Sequence, residues 1–318
     1  MKKIILGVLL FVSTFGFAQV RYVHLEASKG EAVFADLKDA TLHVVIKDFC
    51  DDSKPYKKIM EENWKHSKLS FDYEEKFDMM PGDKVCQEGE WYMFLERSMG
   101  STPGAQRGEN YSNFMNTNII VAKCVGKRGK MDYVVEMPIF PAPGKDKKVG
   151  YPYSFLTQNL DVATCFLNLS NEFYLAGTLN VLNQFVEKKV SKWRDFDNDI
   201  SCESLKEVLN STLFIPQYVL LESSKYKDSQ TYVPAGEFMK GYEAKYKIAS
   251  NEEIKKKFKS GETFYYLLYS AGYGKWNFIV EGKTGKLISA SGDKIGYNID
   301  KGDMGALYEH LKNNKTCK

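Results

Sequence analysis

Eight short runs of the chain are rich in β-branched and aromatic residues and are bounded by polar or glycine-containing stretches, which is typical of β-strands. The predicted strands are residues 41–46, 91–96, 119–124, 132–139, 212–221, 263–269, 276–281 and 286–290. Residues 282–285 read Gly-Lys-Thr-Gly and predict the tight turn of a hairpin between the last two strands.

Other stretches carry apolar residues at the three- and four-residue spacing of one helix face. The longest predicted helix covers roughly residues 158–189, and a shorter one covers residues 304–313. Two acidic stretches, residues 73–79 and 251–258, predict short helices, the second with Ser250 as its capping residue.

The two halves of the chain resemble each other at a nearly constant offset. Residues 37–44 match 208–215 at an offset of 171 residues, and residues 89–95 match 261–267 at an offset of 172 residues; between them, 64–65 resembles 246–247. Independent coincidences are not expected to keep one offset, so we interpret the likeness as an internal duplication. Chance similarity between two α/β segments is the alternative. The sequence therefore predicts an α/β or α+β protein of two related halves, each a small mixed β-sheet with packed helices.

The N-terminus has the three regions of a secretory signal peptide. Lys2 and Lys3 form the basic start, an apolar run follows, and Gly16 and Ala18 place small residues at the cleavage site. The apolar run is shorter than the roughly 20 residues of a transmembrane helix. A buried N-terminal strand or helix is the alternative. We expect cleavage near Ala18, a periplasmic or extracellular location, and no transmembrane segment in the mature chain.

The expected organisation follows from these patterns. It consists of a signal peptide (1–18), a first repeat ending in the long helix (19–190), a polar linker (191–201) and a second repeat (202–318).

Six cysteines are present: Cys50, Cys86, Cys124, Cys165, Cys202 and Cys317. An even number in an oxidising compartment favours three disulfide bonds. None of the cysteines forms a C-x-x-C motif, so a thioredoxin-like site or a zinc ribbon has no support. Sequence cannot choose among the possible pairings. The plan of two halves suggests Cys50 with Cys86, Cys124 with Cys165, and Cys202 with Cys317.

Charge and motifs limit the functions that the sequence supports. Lys and Arg number 44 and Asp and Glu number 41, and this net charge of +3 does not indicate a nucleic-acid partner. The acidic stretch 195–199 resembles the start of a calcium loop, but Ile200 and Lys206 stand where that loop needs Gly and Glu. The Gly-Lys-Thr of the hairpin turn resembles a phosphate loop, but Asn277 replaces its first glycine. We assign no catalytic residue, metal ligand or cofactor.

Aromatic and basic residues supply the candidate binding surface. Its members are Tyr265, Tyr269, Tyr273, Trp276, Arg97 and Arg107. Rows of tyrosine and tryptophan on a sheet offer rigid amphipathic area for a sugar or a peptide, and the arginines suit an anionic partner. The alternative is a sheet face packed under a helix.

The Phe-Ala-Gln ending of the signal peptide, the duplicated plan and the lack of catalytic motifs resemble uncharacterised exported proteins of Bacteroidota. The resemblance is loose, covers the whole chain and implies no activity. We expect an exported, disulfide-stabilised, non-catalytic binding or interaction module of the cell envelope, with a protein or cell-wall component as partner. The alternatives are a secreted hydrolase with an unrecognised acidic site and a structural subunit of an envelope complex.

Overall fold

The computed structural model describes residues 34, 36–46, 54–71, 86–101, 113–125, 130–139, 172–188, 200–223, 230–271, 275–293, 302–314 and 317. The strands are β1 (Thr41–Ile46), β2 (Lys68–Ser70), β3 (Trp91–Ser101), β4 (Asn113–Val125), β5 (Lys130–Ile139), β6 (Leu213–Pro216), β7 (Leu221–Ser223), β8 (Gln230–Tyr232), β9 (Tyr246–Ala249), β10 (Tyr265–Ala271), β11 (Lys275–Glu281) and β12 (Leu287–Asp293). The α-helices are α1 (Lys54–Asn63), α2 (Glu172–Glu187), α3 (Cys202–Asn210), α4 (Ala235–Phe238), α5 (Asn251–Ser260) and α6 (Asp303–Lys312).

The strands form two five-stranded sheets with the same topology. The N-terminal sheet has the order β2-β1-β3-β4-β5, and the C-terminal sheet has the order β9-β6-β10-β11-β12. In each sheet, the first three strands in this order run parallel to one another. Each of the last two strands is antiparallel to the strand before it. A small β7–β8 pair stands apart. The prediction of an α+β protein with two related halves, each a mixed sheet with helices, is confirmed.

The strands β3 and β10 occupy the same place in the two sheets, but their register differs from the sequence alignment. Leu42 pairs with Trp91 across β1 and β3, whereas Leu213, the counterpart of Leu42, pairs with Tyr265. The structural equivalent of Trp91 is therefore Tyr265, not Thr263 as the alignment suggested. A shift of two residues leaves every side chain on the same face of the sheet. The alternation of buried and exposed positions along the strand therefore does not reveal the shift.

The middle match of the sequence alignment, 64–65 with 246–247, does not join structurally equivalent residues either. Leu42 pairs with Leu69 on β2, and Leu213 pairs with Tyr246 on β9. Tyr246 thus corresponds to Leu69, and the suggested likeness between Trp64 and Tyr246 is wrong. The reason is that the connections between the first two strands of each half differ in length and structure.

α2 lies between the two sheets. Residues 173–183 of this helix are all buried, and it contacts α1 and β5 on one side and β10 and β12 on the other. Such burial on all sides is typical of a helix in a core position. The face of the C-terminal sheet that contacts α2 and α5 is its inner face, and the face covered by α3 and α6 is its outer face. One apolar core cluster runs through both halves.

The predicted elements agree with this fold to different extents. The predicted strand 212–221 is shorter than expected, because β6 ends at Pro216 and a 3-10 helix, Gln217–Leu220, follows. Proline has no N–H to donate and so ends the ladder. Residues 158–171 of the predicted long helix, and the predicted helix at 73–79, lie outside the described residues. Among the described helices, none is long and apolar enough to cross a membrane.

A disulfide bond joins Cys202, at the start of α3, to Cys317, which follows α6, with a sequence separation of 115 residues. This bond confirms the pairing suggested for the second half. It ties the two helices that pack together on the outer face of the C-terminal sheet.

A second disulfide joins Cys86 to Cys124. The suggested pairings of Cys86 with Cys50 and of Cys124 with Cys165 are therefore wrong. The reason is the β3–β4 pairing, which continues before β3: the Gly89 amide donates to the Cys124 carbonyl at 2.9 Å, so the chain around residue 86 lies beside β4. Cys50 and Cys165 themselves lie outside the described residues.

Candidate functional site

The structure places two of the proposed surface tyrosines in the core. Tyr265 and Tyr269 are 5% and 1% exposed, and both belong to the main apolar cluster. Trp276 is half-buried and packs against the same cluster. Strand alternation correctly separates Tyr265 from Tyr266, but helices cover both faces of β10.

The other three proposed surface residues fall wholly or partly outside the described part of the structure. Tyr273 and Arg107 lie outside the described residues, and Arg97 lies on β3 with its side chain outside the described part. A binding role for these three residues stays a prediction.

Tyr265 connects the sheet to α3 instead of facing solvent. Its hydroxyl donates a hydrogen bond to Glu207 Oε2 at 3.0 Å. Burial, the hydrogen bond to Glu207 and the negative charges of Glu207 and Glu281 together raise the pKa of Tyr265 to about 12. The phenol is therefore neutral at physiological pH and acts as a hydrogen-bond donor that attaches α3 to β10.

Two other tyrosines are the large hydrophobic side chains that remain exposed among the described residues. Tyr232 on β8 is 54% exposed and Tyr246 on β9 is 38% exposed. Of these two, Tyr246 alone belongs to a larger aromatic arrangement among the described residues. Its ring lies 6.3 Å from that of Tyr242 at an interplanar angle of 80°, and Tyr242 in turn lies 5.7 Å from Tyr308 on α6. We name Tyr242, Tyr246 and Tyr308 the tyrosine cluster.

Two glycines allow the tyrosine cluster to form. Gly241 has a φ of 86°, in the left-handed region that favours glycine, and a Cβ at this position would lie 3.1 Å from the Cα of Gly305 on α6. The absence of both side chains lets the loop before β9 lie directly against α6. Tyr242, the next residue, is thereby inserted beside Tyr308.

Tyr242 forms the buried base of the tyrosine cluster. It is 5% exposed, and its hydroxyl has no hydrogen-bond partner among the described residues. Burial, and secondarily the neighbouring Tyr308, raise the pKa of Tyr242 well above its usual value. A neutral, fixed ring under Tyr246 limits the rotamers of the exposed ring, which lowers the entropy lost when a ligand contacts it.

β9 also carries backbone groups at the edge of the C-terminal sheet. The Leu213 amide donates to the Lys245 carbonyl at 3.0 Å, so the backbone of Lys245 faces β6. Because consecutive residues of a strand direct their N–H and C=O groups to opposite sides, those of Tyr246 and Ile248 point away from β6. Among the described strands, none pairs with β9 along the edge that faces away from β6.

A separate polar site joins the two halves through α2. Gln184 Nε2 donates to the Gly285 carbonyl at 3.0 Å, and Gln184 Oε1 accepts from the Leu287 amide at 2.8 Å. Gly285 belongs to the Gly-Lys-Thr-Gly turn between β11 and β12, and Leu287 is the first residue of β12. The prediction that this segment is a hairpin turn, not a phosphate loop, is confirmed.

The residue before Gln184 makes the matching contacts with the N-terminal half. Asn183 Nδ2 donates to the Asn63 carbonyl at 2.6 Å, and Asn183 Oδ1 accepts from the Lys65 amide at 3.2 Å. His66 Nε2 donates to the Asn183 carbonyl at 2.7 Å. These groups bond to one another, so this site attaches α2 to the N-terminal half, as Gln184 attaches it to the C-terminal half.

Within the described ranges, no group of three or more His, Cys, Asp or Glu residues is placed to hold a metal ion. In comparisons with known proteins, no family model, curated protein or solved structure matches this chain.

Sequence reasoning missed the tyrosine cluster. It used Tyr246 only to align the two halves, and it did not consider Tyr242 or Tyr308. A usable signal was the run Lys245-Tyr246-Lys247, in which an aromatic residue stands between two lysines. This pattern is unusual for a buried strand position.

Proposed function

We propose that this protein is an exported, non-catalytic binding module of the cell envelope, and that it contacts a protein or cell-wall partner through the tyrosine cluster. The single observation that carries the proposal is Tyr246, which is 38% exposed on an edge strand and supported by the buried ring of Tyr242. Tyrosines of this kind are enriched at binding sites because they combine apolar area with a polar end.

Other features are consistent with this proposal. The sequence carries a signal-peptide pattern, and the Cys86–Cys124 and Cys202–Cys317 bonds suit a protein that works in an oxidising compartment. Tyr246 lies on a strand and Tyr308 on a helix, and side chains on such elements are held more rigidly than side chains on a loop.

Co-sedimentation with purified cell-wall sacculi tests the proposal. Two preparations are used: sacculi that keep their attached proteins, and sacculi stripped of protein by protease. We expect the mature, disulfide-bonded protein to sediment with at least one preparation, and the two together identify the class of partner. Tyr246→Ser should weaken sedimentation about tenfold, in the range of a contact worth 1–2 kcal/mol.

Tyr232→Ser is the matched control, because Tyr232 is the more exposed tyrosine and lies outside the tyrosine cluster. It should sediment like the unchanged protein. The proposal is wrong if the protein stays in the supernatant with both preparations, or if the two serine variants behave alike.

A further inference from the structure

The open side of β9 has the backbone geometry that a further strand requires. The N–H and C=O groups of Tyr246 and Ile248 point outward, as the Leu213–Lys245 hydrogen bond establishes. Within the described part of the chain, these backbone groups of Tyr246 and Ile248 have no hydrogen-bond partner. Unpaired edges of this kind are templates for strand addition, in which backbone bonds supply affinity and side chains supply specificity.

The side chains along this edge determine what kind of strand fits. Tyr246 lies on the outer face of the sheet with the tyrosine cluster, and would contact an apolar or aromatic residue of the added strand. Lys247 lies on the inner face and is paired with Glu253 at 2.5 Å. Lys245 is exposed and has no ion-pair partner among the described residues, so it favours an acidic residue beside it.

The same lysines argue against a second copy of this chain as the occupant. Pairing two β9 strands would bring Lys245 and Lys247 of one copy beside those of the other. Like charges on neighbouring strands are destabilising, and lysines on edge strands are a common means of preventing self-association.

We infer that β9 receives an extended segment of a partner protein, with alternating apolar and acidic residues, as an added strand of the C-terminal sheet. The inference rests on the proposed function and narrows it to a protein partner. The apolar residues of that segment would pack on Tyr246, and its acidic residues would neutralise Lys245.

Amide hydrogen exchange of the full mature protein, followed by NMR with its disulfides intact, tests the inference. The probes are an alternating Glu-Val octapeptide and, as the charge-reversed control, an alternating Lys-Val octapeptide. The Glu-Val peptide should slow exchange at Tyr246 and Ile248 and leave Lys247 unchanged, because the Lys247 amide already faces β6. The Lys-Val peptide should give no protection.

Two variants separate the contributions. Lys245→Glu should weaken binding of the Glu-Val peptide by about tenfold or more. Ile248→Pro removes an outward N–H without removing one that faces β6, which edge strands tolerate, and should abolish strand addition. Lys206→Glu on α3 is the charge control and should bind normally. Thermal unfolding of each variant establishes that it folds.

Three results would overturn the inference: unprotected Tyr246 and Ile248 amides at millimolar peptide, equal protection by both peptides, or no effect of Lys245→Glu. Its failure is distinguishable from failure of the proposed function. If sacculus binding depends on Tyr246 but neither peptide protects β9, the binding role stands and strand addition is wrong. If the Glu-Val peptide protects β9 and no sacculus preparation binds, the strand site is supported without the envelope role.

Discussion

The hydroxyl of Tyr266 occupies the space that a side chain at Gly177 would need. Tyr266 lies on β10 and is fully buried, and Gly177 lies on the turn of α2 directly above it. The hydroxyl has no hydrogen-bond partner among the described residues. In the sequence, a glycine within a helical pattern is a weak point. In the structure, this glycine lets the central helix approach the C-terminal sheet.

Gly177→Ala should destabilise the protein by about 1–3 kcal/mol, because its Cβ would overlap the Tyr266 hydroxyl in a packed core. Tyr266→Phe should be neutral or stabilising, since it removes a buried hydroxyl without a partner. Combined with Gly177→Ala, it should recover most of the loss, because the ring carbon Cζ would then be 3.6 Å from the new Cβ, an ordinary contact. Urea unfolding of the three variants measures these changes.

Gly236→Ala on α4 is the control for this series, because a Cβ there has no neighbour within 4 Å. Its stability should be unchanged or slightly increased. If Tyr266→Phe fails to improve the stability of Gly177→Ala, the hydroxyl is not what makes glycine necessary at this position.

Gln184→Ala should destabilise the protein by about 1–3 kcal/mol, because the buried Leu287 amide loses its acceptor and the Gly285 carbonyl loses its donor. The loss should be accompanied by faster amide exchange at Leu287. Glu187→Ala, one turn further along α2 and exposed, should change neither quantity. Unaltered exchange at Leu287 in Gln184→Ala would contradict the role given to this side chain in joining the halves.

Removing the two disulfides should have unequal effects. The Cys202–Cys317 bond closes a loop with a sequence separation of 115 residues, and its removal should lower the free energy of unfolding by about 5 kcal/mol. The Cys86–Cys124 bond closes a shorter loop, with a separation of 38 residues, and its removal should cost about 4 kcal/mol. Paired cysteine-to-serine variants and urea unfolding measure the difference. An equal or reversed order would show that chain entropy does not govern these bonds.

Peptide mapping without reduction should find both of those bonds together with a third, between Cys50 and Cys165. Six cysteines can form three bonds. The two observed bonds use four of them, so Cys50 and Cys165 are left to pair with each other. Detection of a free thiol at Cys50 or Cys165 in the native protein would contradict it.

Stability should fall at alkaline pH, and Tyr265→Phe should reduce the fall. The pKa of Tyr265 is raised to about 12 in the folded protein, chiefly by burial and next by Glu207, against about 10 in the unfolded chain. Its stabilising contribution is therefore complete below about pH 10 and is lost as pH rises through about 12.

Burial raises the pKa of Tyr266 and of Tyr242 as well, with the same sign. Urea midpoints between about pH 8 and 12 give the pH dependence, and the difference in tyrosinate absorbance between the unchanged protein and Tyr265→Phe reports the ionisation of Tyr265. Tyr265→Phe keeps every lysine, so lysine titration affects the variant and the unchanged protein alike and cancels in the comparison. Identical pH profiles for the two proteins would contradict the assignment.

Local patterns predicted the repeated plan of the fold. β1, β11, the hairpin turn, α5 and α6 lie within a few residues of the predicted positions, because strand and helix periodicity and turn glycines act over short distances. The end of β6 was misplaced because Pro216 interrupts a run that otherwise has strand composition. The register between halves escaped prediction, because a two-residue shift leaves the alternation of buried and exposed positions unchanged.

The candidate site was harder to predict than the fold. Composition directed attention to the many aromatic residues of β10, and alternation assigned Tyr265 and Tyr266 to opposite faces. Neither pattern indicates that α2 and α3 cover those faces. The tyrosine cluster unites a loop, a strand and the last helix, and Tyr242 and Tyr308 have no relation in sequence that could connect them.

The sequence by itself determined the duplicated order of strands, the positions of the last two helices and the hairpin turn. These follow from local periodicity, turn chemistry and the position of segments along the chain. Only the tertiary structure decided that Cys86 bonds to Cys124, that Gly177 accommodates the Tyr266 hydroxyl, and that Tyr246 stays exposed above a buried Tyr242. Each of these depends on contacts between segments far apart in sequence, and close packing, not local preference, selects them.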